Sequence, residues 1–345
     1  MPKGERRERV LSSSRFVDGK FRNTNPKAGP GLERGTVMKT TGELFFGGTR
    51  RRPKGALPVV RPHEGWAAPE ETGLRATWLG HSTVLLEIDG TRVLTDPVFG
   101  DRTSPVSFVG PKRFHEVPSA IDALPALDAI LVSHDHFDHL DYTSVLALAK
   151  HTAPTTPFVT SLGVGAHLEH FGVPSARIVE LDWHESFTVP GKDLRFTAQP
   201  AQHFSGRGFG FAATTLWSSW VIAGPEHRVF FSGDTGLTDE FSAIGSAHGP
   251  FDLVMLEVGA YHPSWGTIHL GPENALLAHR MLGGGTLLPV HWGTFDLALH
   301  AWNEPAETLI TRATETGARV LTPRLGEVFV PSRVAGPDPW WREVG

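Results

Sequence analysis

A short run rich in histidine and aspartate constrains this chain more than any other feature of its 345 residues. The run reads HDHFDH over residues 134–139 and comes one residue after the apolar segment DAILV at 128–132. Such a segment is typical of a buried strand, so the run is expected to lie on the loop at that strand's carboxyl end. Because imidazoles and carboxylates crowded onto one loop gain little from packing, whereas divalent metals bind both, the run predicts a metal site.

Three later segments also end a strand-like apolar run with a metal-binding residue. They lie at 194–203, 229–234 and 287–291, and they deliver His203, Asp234 and His291. Since catalytic residues of α/β folds gather at the carboxyl ends of strands, we expect these side chains to converge with the first run. The chain contains no cysteine, so any metal must bind through nitrogen and oxygen atoms.

Seven ligands are too many for one tetrahedral zinc ion and suit two ions that share a bridging group. The first ion is predicted to bind His134, His136 and His203, the second Asp138, His139 and His291, and Asp234 is predicted to bridge them. Two ions roughly 3.5–4 Å apart can hold a bridging hydroxide for attack on phosphorus or carbon. The predicted cofactor is therefore two Zn²⁺ ions, with other divalent transition metals as alternatives.

Apolar runs alternate with helix-like stretches, which favours a mixed sheet covered by helices. Strands are predicted at residues 75–79, 83–88, 91–95, 129–132, 157–160, 194–198, 214–223, 229–231, 253–256, 286–290 and 319–321. Helices are predicted at 143–150, 163–171, 272–281 and 305–316. The Asp89-Gly90 pair predicts a two-residue hairpin turn between the second and third of these strands.

Residues 1–69 are predicted to form a basic lead-in, or arm, packed on or beside a catalytic domain of residues 70–345. Residues 1–61 contain 15 Lys and Arg against 5 Asp and Glu, whereas residues 62–345 contain 17 against 32. Such an arm could contact an anionic membrane or simply pack on the acidic body, and both interpretations stay open. Without a signal-like start or a long apolar run, the expected location is cytoplasmic, with peripheral contact at the inner face of the membrane as one option.

Beyond the ligands, several segments resemble the metallo-β-lactamase superfamily and, within it, the N-acylphosphatidylethanolamine-hydrolysing phospholipase D family. These segments are GDTG (233–236), TWLGHST (77–83), TDPVF (95–99), GPKRF (110–114), PAQH (200–203) and HWGTF (291–295). The resemblance covers about residues 74–299. It implies an α/β (α+β) fold of the four-layer αββα sandwich type, with a two-zinc site at one edge. It also implies a phospholipase D type activity that releases an N-acylethanolamine and phosphatidate, a phospholipid or other phosphodiester as substrate, and a homodimer.

The resemblance further implies that His269, which follows Gly-Ala-Tyr at 259–261, lies beside the metals. There it would contact the phosphate or protonate the departing alkoxide, because histidine exchanges protons near neutral pH. A structural role for His269 is the alternative. Asp138, a predicted metal ligand, is the second catalytic candidate.

Four further residues are weaker candidates. His81 and Asp96 could orient metal-bound imidazoles, because such rings usually donate their other N–H to a neighbour, although Asp96 could equally cap the turn before Pro97. Lys112 and Arg113 could contact the substrate phosphate or could simply be solvated cations.

Two other functions fit the same residues. One is a lactonase, or another metal-dependent hydrolase of a soluble substrate, on the same fold, because an activated hydroxide attacks carbon and phosphorus alike. The other is a non-enzymatic metal-binding protein, against which the large ligand set argues. A β-lactamase is disfavoured by the lack of cysteine. Nucleic acid is not an expected partner, because acidic residues predominate after residue 61.

Overall fold

Two sheets, each of seven strands, form the centre of the computed structural model, which describes residues 3–29, 50–68, 70–106, 108–208 and 213–344. Sheet A has the order β16 (Val328–Phe329), β3 (Leu74–Gly80), β4 (Thr83–Ile88), β5 (Thr91–Thr95), β6 (Ala129–Val132), β7 (Phe158–Ser161) and β8 (Ile178–Leu181). Sheet B has the order β15 (Arg319–Val320), β14 (Thr286–Val290), β13 (Leu253–Glu257), β12 (Arg228–Phe231), β11 (Ser219–Ala223), β10 (Arg195–Gln199) and β9 (Ser186–Thr188). A separate hairpin joins β1 (Phe16–Val17) and β2 (Lys20–Phe21).

Side chains of sheet A alternate between two apolar layers. Leu86 and Val93 belong to a core shared with sheet B, whereas Leu85 and Leu94 belong to a second core with the helix residue Leu148. This alternation follows from the two-residue period of a strand that is buried on both faces. Helices α3 (Tyr142–His151) and α4 (Gly165–His170) contribute to the sheet A core, and α5 (Glu240–His248), α6 (Gly271–Met281) and α7 (Glu304–Thr316) contribute to the sheet B core. The expected four-layer αββα sandwich is confirmed.

The direction of the strands decides which loops meet. β3, β5 and β6 run the same way in sheet A, because β4 pairs antiparallel with β3 and β5, while β5 pairs parallel with β6. In sheet B, β10, β12, β13 and β14 also share one direction. Parallel strands place their carboxyl ends at one edge of a sheet, so the segments that follow these seven strands are neighbours in space.

Most of the predicted elements are present. The strands at 83–88, 91–95, 129–132 and 286–290 have the predicted bounds, and Asp89 and Gly90 both have positive φ, as a type I′ hairpin turn requires. The strand predicted over 214–223 was too long, because only Ser219–Ala223 pairs with its neighbours. Sequence reasoning missed α5 and the edge strands β8, β9 and β16, which are short or only half buried.

The amino-terminal arm contains α1 (Gly4–Ser12), and α2 (His63–Ala67) comes shortly before the first strand of sheet A. Arg6 forms ion pairs with Glu169 and Glu180, and Arg9 pairs with Glu185, so these cations lie against acidic residues of the body. Part of the predicted arm, residues 30–49, lies outside the described residues. The domain boundary near residue 69 stays a prediction. Across the described ranges, no helix is long and apolar enough to cross a membrane.

Candidate metal centre

The seven predicted ligands lie at the shared edge of the two sheets, in two clusters of donor atoms. The first donor group consists of His134, His136, His203 and Asp234, whose donor atoms all lie within 4.8 Å of one another. His136 Nδ1 lies 2.9 Å from His134 Nε2 and 3.2 Å from His203 Nε2. The structure thus places a histidine that follows β10 beside two histidines that follow β6, across the interface between the sheets.

The second donor group consists of His81, Asp138, His139 and His291, again with donor atoms within 4.8 Å. Asp138 Oδ2 lies 3.0 Å from His81 Nε2, 3.3 Å from His291 Nε2 and 3.6 Å from His139 Nε2. His81 was predicted to orient a metal-bound imidazole. In the structure its Nε2 contacts the carboxylate of Asp138, a predicted metal ligand.

Asp234 faces both groups with different oxygens. Its Oδ2 lies 3.6 Å from His203 Nε2 and 3.9 Å from His134 Nε2, while its Oδ1 lies 3.1 Å from His139 Nε2 and 3.2 Å from His291 Nε2. This is the geometry expected of a carboxylate shared by two ions.

Gly233 makes the close approach of Asp234 feasible. Its φ is 53°, and a Cβ at this position would lie 2.8 Å from the Cβ of Ser133, at the start of the histidine-rich loop. Only glycine adopts this backbone conformation without strain and leaves room for the loop. The Gly-Asp pair is therefore a geometric requirement of the site.

The donor atoms fit a divalent cation by their lack of other partners. His139 Nε2, His291 Nε2 and Asp234 Oδ1 are buried and face one another at 3.1–3.2 Å, but none of them forms a hydrogen bond of normal geometry with a described residue. Buried polar atoms nearly always form hydrogen bonds, so nitrogen and oxygen atoms that converge on one region without doing so fit a site for a positive ion. Nitrogen and carboxylate oxygen donors suit zinc, manganese, iron and related divalent metals.

Electrostatics favour the protonation states that bind metal at most of these ligands. Burial lowers the pKa of His134 and His203 well below the usual range, so both rings are neutral. Burial would raise the pKa of Asp234, but His139 and His291 outweigh it and hold that pKa well below normal.

The pKa values of His139 and His291 shift in the opposite direction, because both rings face the carboxylates. Burial would lower the pKa of His291, yet the carboxylates of Asp234 and Asp138 raise it to about 10, and His139 shifts in the same direction for the same reason. A metal that binds both nitrogens must displace these protons. The same carboxylates therefore stabilise positive charge in either form, as protonated imidazoles or as a bound metal ion.

Four non-glycine residues at this edge have left-handed backbone conformations. His81, Asp96, Ala260 and His291 have positive φ values of 54°, 32°, 54° and 65°. Such conformations are unfavourable for residues other than glycine and persist only where surrounding contacts enforce them. One such contact joins the two sheets directly, because His291 N donates a hydrogen bond of 2.9 Å to His81 O.

Asp96 contacts the metal site through one of its predicted ligands. Its carboxylate lies 2.6 Å from His139 Nδ1 and accepts hydrogen bonds from the backbone N–H and the hydroxyl of Ser133. Between the two interpretations of Asp96, the contacts favour orientation of an imidazole over capping of the turn before Pro97. On the other sheet, His203 Nδ1 makes the equivalent contact with a backbone carbonyl, Ile268 O, at 2.9 Å.

The arm reaches the site through Asn23, which sequence reasoning missed. Asn23 Nδ2 donates to His203 O at 2.9 Å, and Asn23 Oδ1 accepts from His203 N and from Trp217 Nε1, each at 3.0 Å. A single asparagine in an irregular arm gives no sequence signal of such a role. The backbone of one predicted ligand is therefore held by a residue of the arm.

His269 lies beside the donor groups, as the resemblance implied. A ring nitrogen of His269 lies within 4.8 Å of donor atoms of Asp234 and His291, and its ring centroid is 5.1 Å from that of His203. Its Nδ1 is 3.2 Å from the carboxylate of Glu257, a buried residue that sequence reasoning missed. A cavity of about 430 Å³, lined by His269, Tyr261, Trp265 and Glu304 among others, adjoins the site on this side.

Arg113 lies next to the site, where its side chain packs on Phe295, a neighbour of His81. Its guanidinium donates to the carbonyls of Val98 and Gly100 and packs over the Phe295 ring at 4.8 Å, and burial lowers its pKa to about 10. These contacts hold the loop beside the site, while Arg113 Nη1 has no hydrogen-bond partner among the described residues, and the phosphate contact stays a prediction. Lys112, next to it, is exposed and forms a β-bridge with Arg102.

The chain is similar to other proteins over most of its length. A family model described as a β-lactamase superfamily domain matches residues 91–292. An uncharacterized protein of Mycobacterium tuberculosis is 46% identical over 335 residues, which cover 96% of this chain and 88% of that protein. An N-acyl-phosphatidylethanolamine-hydrolyzing phospholipase D of Caenorhabditis elegans is 40% identical over 66% of this chain and 66% of its own length. A mitochondrial enzyme of the same description from Saccharomyces cerevisiae is 34% identical over 78% of this chain and 58% of its own length.

Solved structures show the same fold at low sequence identity. An isothiocyanate hydrolase from Delia radicum gut bacteria matches with a TM-score of 0.58 and 22% identity, covering 74% of this chain and 98% of that one. The diiron β-hydroxylase CmlA of Streptomyces venezuelae matches with a TM-score of 0.55 and 19% identity, covering 76% and 55%. The different chemistries named for these two proteins show that the shared fold alone does not fix the reaction.

Proposed function

Since the chain belongs to the β-lactamase superfamily and is a metal-dependent hydrolase of the metallo-β-lactamase fold, we propose that it cleaves a phosphodiester in a phospholipase D type reaction. The proposed substrate is a phospholipid of the N-acylphosphatidylethanolamine type, and the products are an N-acylethanolamine and phosphatidate. Two relatives whose names state this activity support the choice of substrate.

One observation carries the proposal: a single carboxylate, Asp234, faces two groups of donor atoms, and His269 lies beside both. We propose that His134, His136 and His203 hold one zinc ion, that Asp138, His139 and His291 hold a second, and that Asp234 bridges them. Bound divalent ions supply positive charge for phosphoryl oxygens and activate water for attack. The chain's own task is to fix these donors and to position the proton donor.

His269 performs that second task in the proposed reaction. When the P–O bond to the leaving alcohol breaks, its electron pair stays on the leaving oxygen, and a proton from the imidazole neutralises it. The ring borders the cavity lined by Tyr261 and Trp265, which offers space for the departing group. A general acid in this position contributes roughly 10²–10⁴-fold to the rate.

An exposed apolar loop supports a lipid substrate. Phe108 is 77% exposed and Val109 is 55% exposed, at the tip of a segment whose base is the bridge between Arg102 and Lys112. Aromatic side chains flanked by cations are suited to the interface of an anionic bilayer. The segment leads directly into Arg113, which packs on Phe295, and Phe295 lies 5.3 Å from His81 between ring centroids. The loop could therefore bring the site to a membrane surface, whereas Arg6 and Arg9 of the arm are already paired.

The substrate is tested with purified protein loaded with zinc. We expect release of N-acylethanolamine from vesicles that contain N-acylphosphatidylethanolamine, detected by mass spectrometry, together with turnover of bis(p-nitrophenyl) phosphate. A lactone serves as the competing substrate. Turnover of the lactone without any phosphodiester cleavage would overturn the proposal in favour of the lactonase alternative.

The role of the apolar loop is tested separately with Phe108→Asp. This change should reduce cleavage of lipid in vesicles roughly tenfold, because the introduced charge opposes insertion, and should leave turnover of bis(p-nitrophenyl) phosphate unchanged. Leu277→Asp, at another exposed apolar residue on α6, is the matched control. Equal activity of both variants on vesicles would show that the loop does not contact lipid. The expected homodimer stays a prediction.

A further inference from the structure

A buried glutamate lies directly behind His269. Glu257 is the last residue of β13 and is fully buried. Its Oε1 lies 3.2 Å from His269 Nδ1 and accepts a hydrogen bond of 2.7 Å from Leu270 N, whereas its Oε2 has no hydrogen-bond partner among the described residues. A carboxylate of this kind is costly to bury, so its contact with the histidine requires an explanation.

The geometry fixes the orientation of the imidazole. The two nitrogens of the ring lie on different sides of it, so Nδ1 at Glu257 leaves Nε2 to face away from the carboxylate. A ring nitrogen of His269 lies within 4.8 Å of donor atoms of Asp234 and His291. A carboxylate at one nitrogen holds the proton there and stabilises the positive charge of a fully protonated ring.

We propose that Glu257 is a positioning residue that keeps the Nδ1 proton of His269 in place, so that Nε2–H is directed at the leaving oxygen. This inference rests on the proposed function. In the step itself, the Nε2 proton passes to the leaving oxygen, which keeps the electron pair of the broken P–O bond. The imidazole keeps its hydrogen bond from Nδ1–H to the Glu257 carboxylate. The oxygen of the attacking water forms the new bond to phosphorus and releases its proton to solvent, from which His269 is protonated again.

The competing role is purely structural. Because Glu257 also accepts a hydrogen bond from Leu270 N, next to the first residue of α6, it could serve only to fasten the start of that helix. The two roles make different predictions for leaving groups, because only a poor leaving group needs a proton.

The test uses Glu257→Gln, which keeps the shape and the acceptor for Leu270 N but removes the charge. We measure kcat and KM on a series of diaryl phosphates whose leaving groups range from p-nitrophenol to phenol. The variant should lose about tenfold in kcat with phenol as leaving group and less than about twofold with p-nitrophenol, at unchanged KM. Glu87→Gln, which removes the charge of a buried glutamate paired with Arg75 in sheet A, is the matched control for loss of stability.

A double variant separates action through His269 from independent action. If Glu257 works through the imidazole, adding Glu257→Gln to His269→Ala should cost nothing further, whereas independent contributions would multiply. Equal losses for all leaving groups, or a full additional loss in the double variant, would overturn the proposal.

A second readout does not depend on turnover. In ¹⁵N-labelled zinc-loaded protein, the nitrogen signals of His269, assigned by comparison with His269→Ala, should show a proton on Nδ1, and Glu257→Gln should shift that signal. A His269 protonated only on Nε2, or unaffected by the substitution, would contradict the inference. If no phosphodiester is cleaved at all, the proposed function fails, while this measurement still decides the Glu257 contact.

Discussion

The two sheets contribute to the candidate metal centre in different ways. Sheet A supplies four proposed ligands from one loop of six residues, 134–139, whereas sheet B supplies three from three separate strand ends. The compact loop concentrates its ligands in sequence, and the dispersed set is brought together only by the parallel arrangement of β10, β12 and β14. Yet each donor group contains ligands from both sheets, so the site holds the interface of the sandwich together rather than belonging to either half.

The largest expected effect comes from the residue that both groups share. Asp234→Ala should abolish binding of both metals and lower turnover by at least about three orders of magnitude, because the ions supply most of the catalysis. Metal content by elemental analysis and turnover of bis(p-nitrophenyl) phosphate measure the two effects. Asp193→Asn, at an exposed aspartate, is the control. Retention of two equivalents by Asp234→Ala would show that no bridge exists.

A next experiment asks whether the sheet or the donor group determines the effect of losing a ligand. His136→Ala and His203→Ala remove first-group ligands from different sheets, and His291→Ala removes a second-group ligand from sheet B. Each variant should retain about one equivalent of metal. His136→Ala and His203→Ala should have similar residual activity with added zinc and should differ from His291→Ala. If His203→Ala and His291→Ala had similar residual activities that differed from the activity of His136→Ala, the two sheets would form separate sites.

A smaller effect is expected from the residue that orients His139. Asp96→Asn keeps the size of the side chain but removes the charge that faces His139 Nδ1, and such changes typically cost 10–100-fold in metal affinity. Competition with a chelator of known affinity measures the change. Thr72→Ala, at a hydroxyl outside the site, is the control. An unchanged metal affinity would show that Asp96 does not orient His139 for metal binding and only holds the loop at Ser133.

The smallest effect should come from the arm. Asn23→Ala removes hydrogen bonds to both backbone groups of His203 and to Trp217, each worth about 1 kcal/mol, so the melting temperature should fall by a few degrees. Because His203 belongs to the first donor group, metal should be lost preferentially from that group. Asn25→Ala, in an exposed turn of the same arm, is the matched control. Equal melting temperatures would mean that the arm does not stabilise the site.

The sequence predicted the structure best where a short local pattern determines the conformation. The β4–β5 hairpin was predicted with its bounds, because two runs rich in apolar and β-branched residues on either side of an Asp-Gly turn specify it locally. The convergence of His203, Asp234 and His291 followed from one rule about strand ends, applied three times.

The same reasoning missed residues whose role depends on neighbours distant in sequence. Glu257 follows four apolar residues and looks like an ordinary polar strand end, and only the packing of β13 beside β12 and β14 brings it behind His269. Arg113, predicted either to contact phosphate or to be a solvated cation, is buried against the loop carbonyls of Val98 and Gly100, so it is not a solvated cation. Burial and hydrogen-bond partners of this kind depend on the tertiary structure.

The most direct test is a crystal structure of the zinc-loaded protein with anomalous diffraction data collected on both sides of the zinc absorption edge. Two peaks are predicted, about 3.5–4 Å apart on either side of Asp234. One peak should be bound by His134, His136 and His203, and the other by Asp138, His139 and His291. A single peak, or a peak whose ligands come from only one sheet, would contradict the two-metal centre on which the proposed hydrolysis depends.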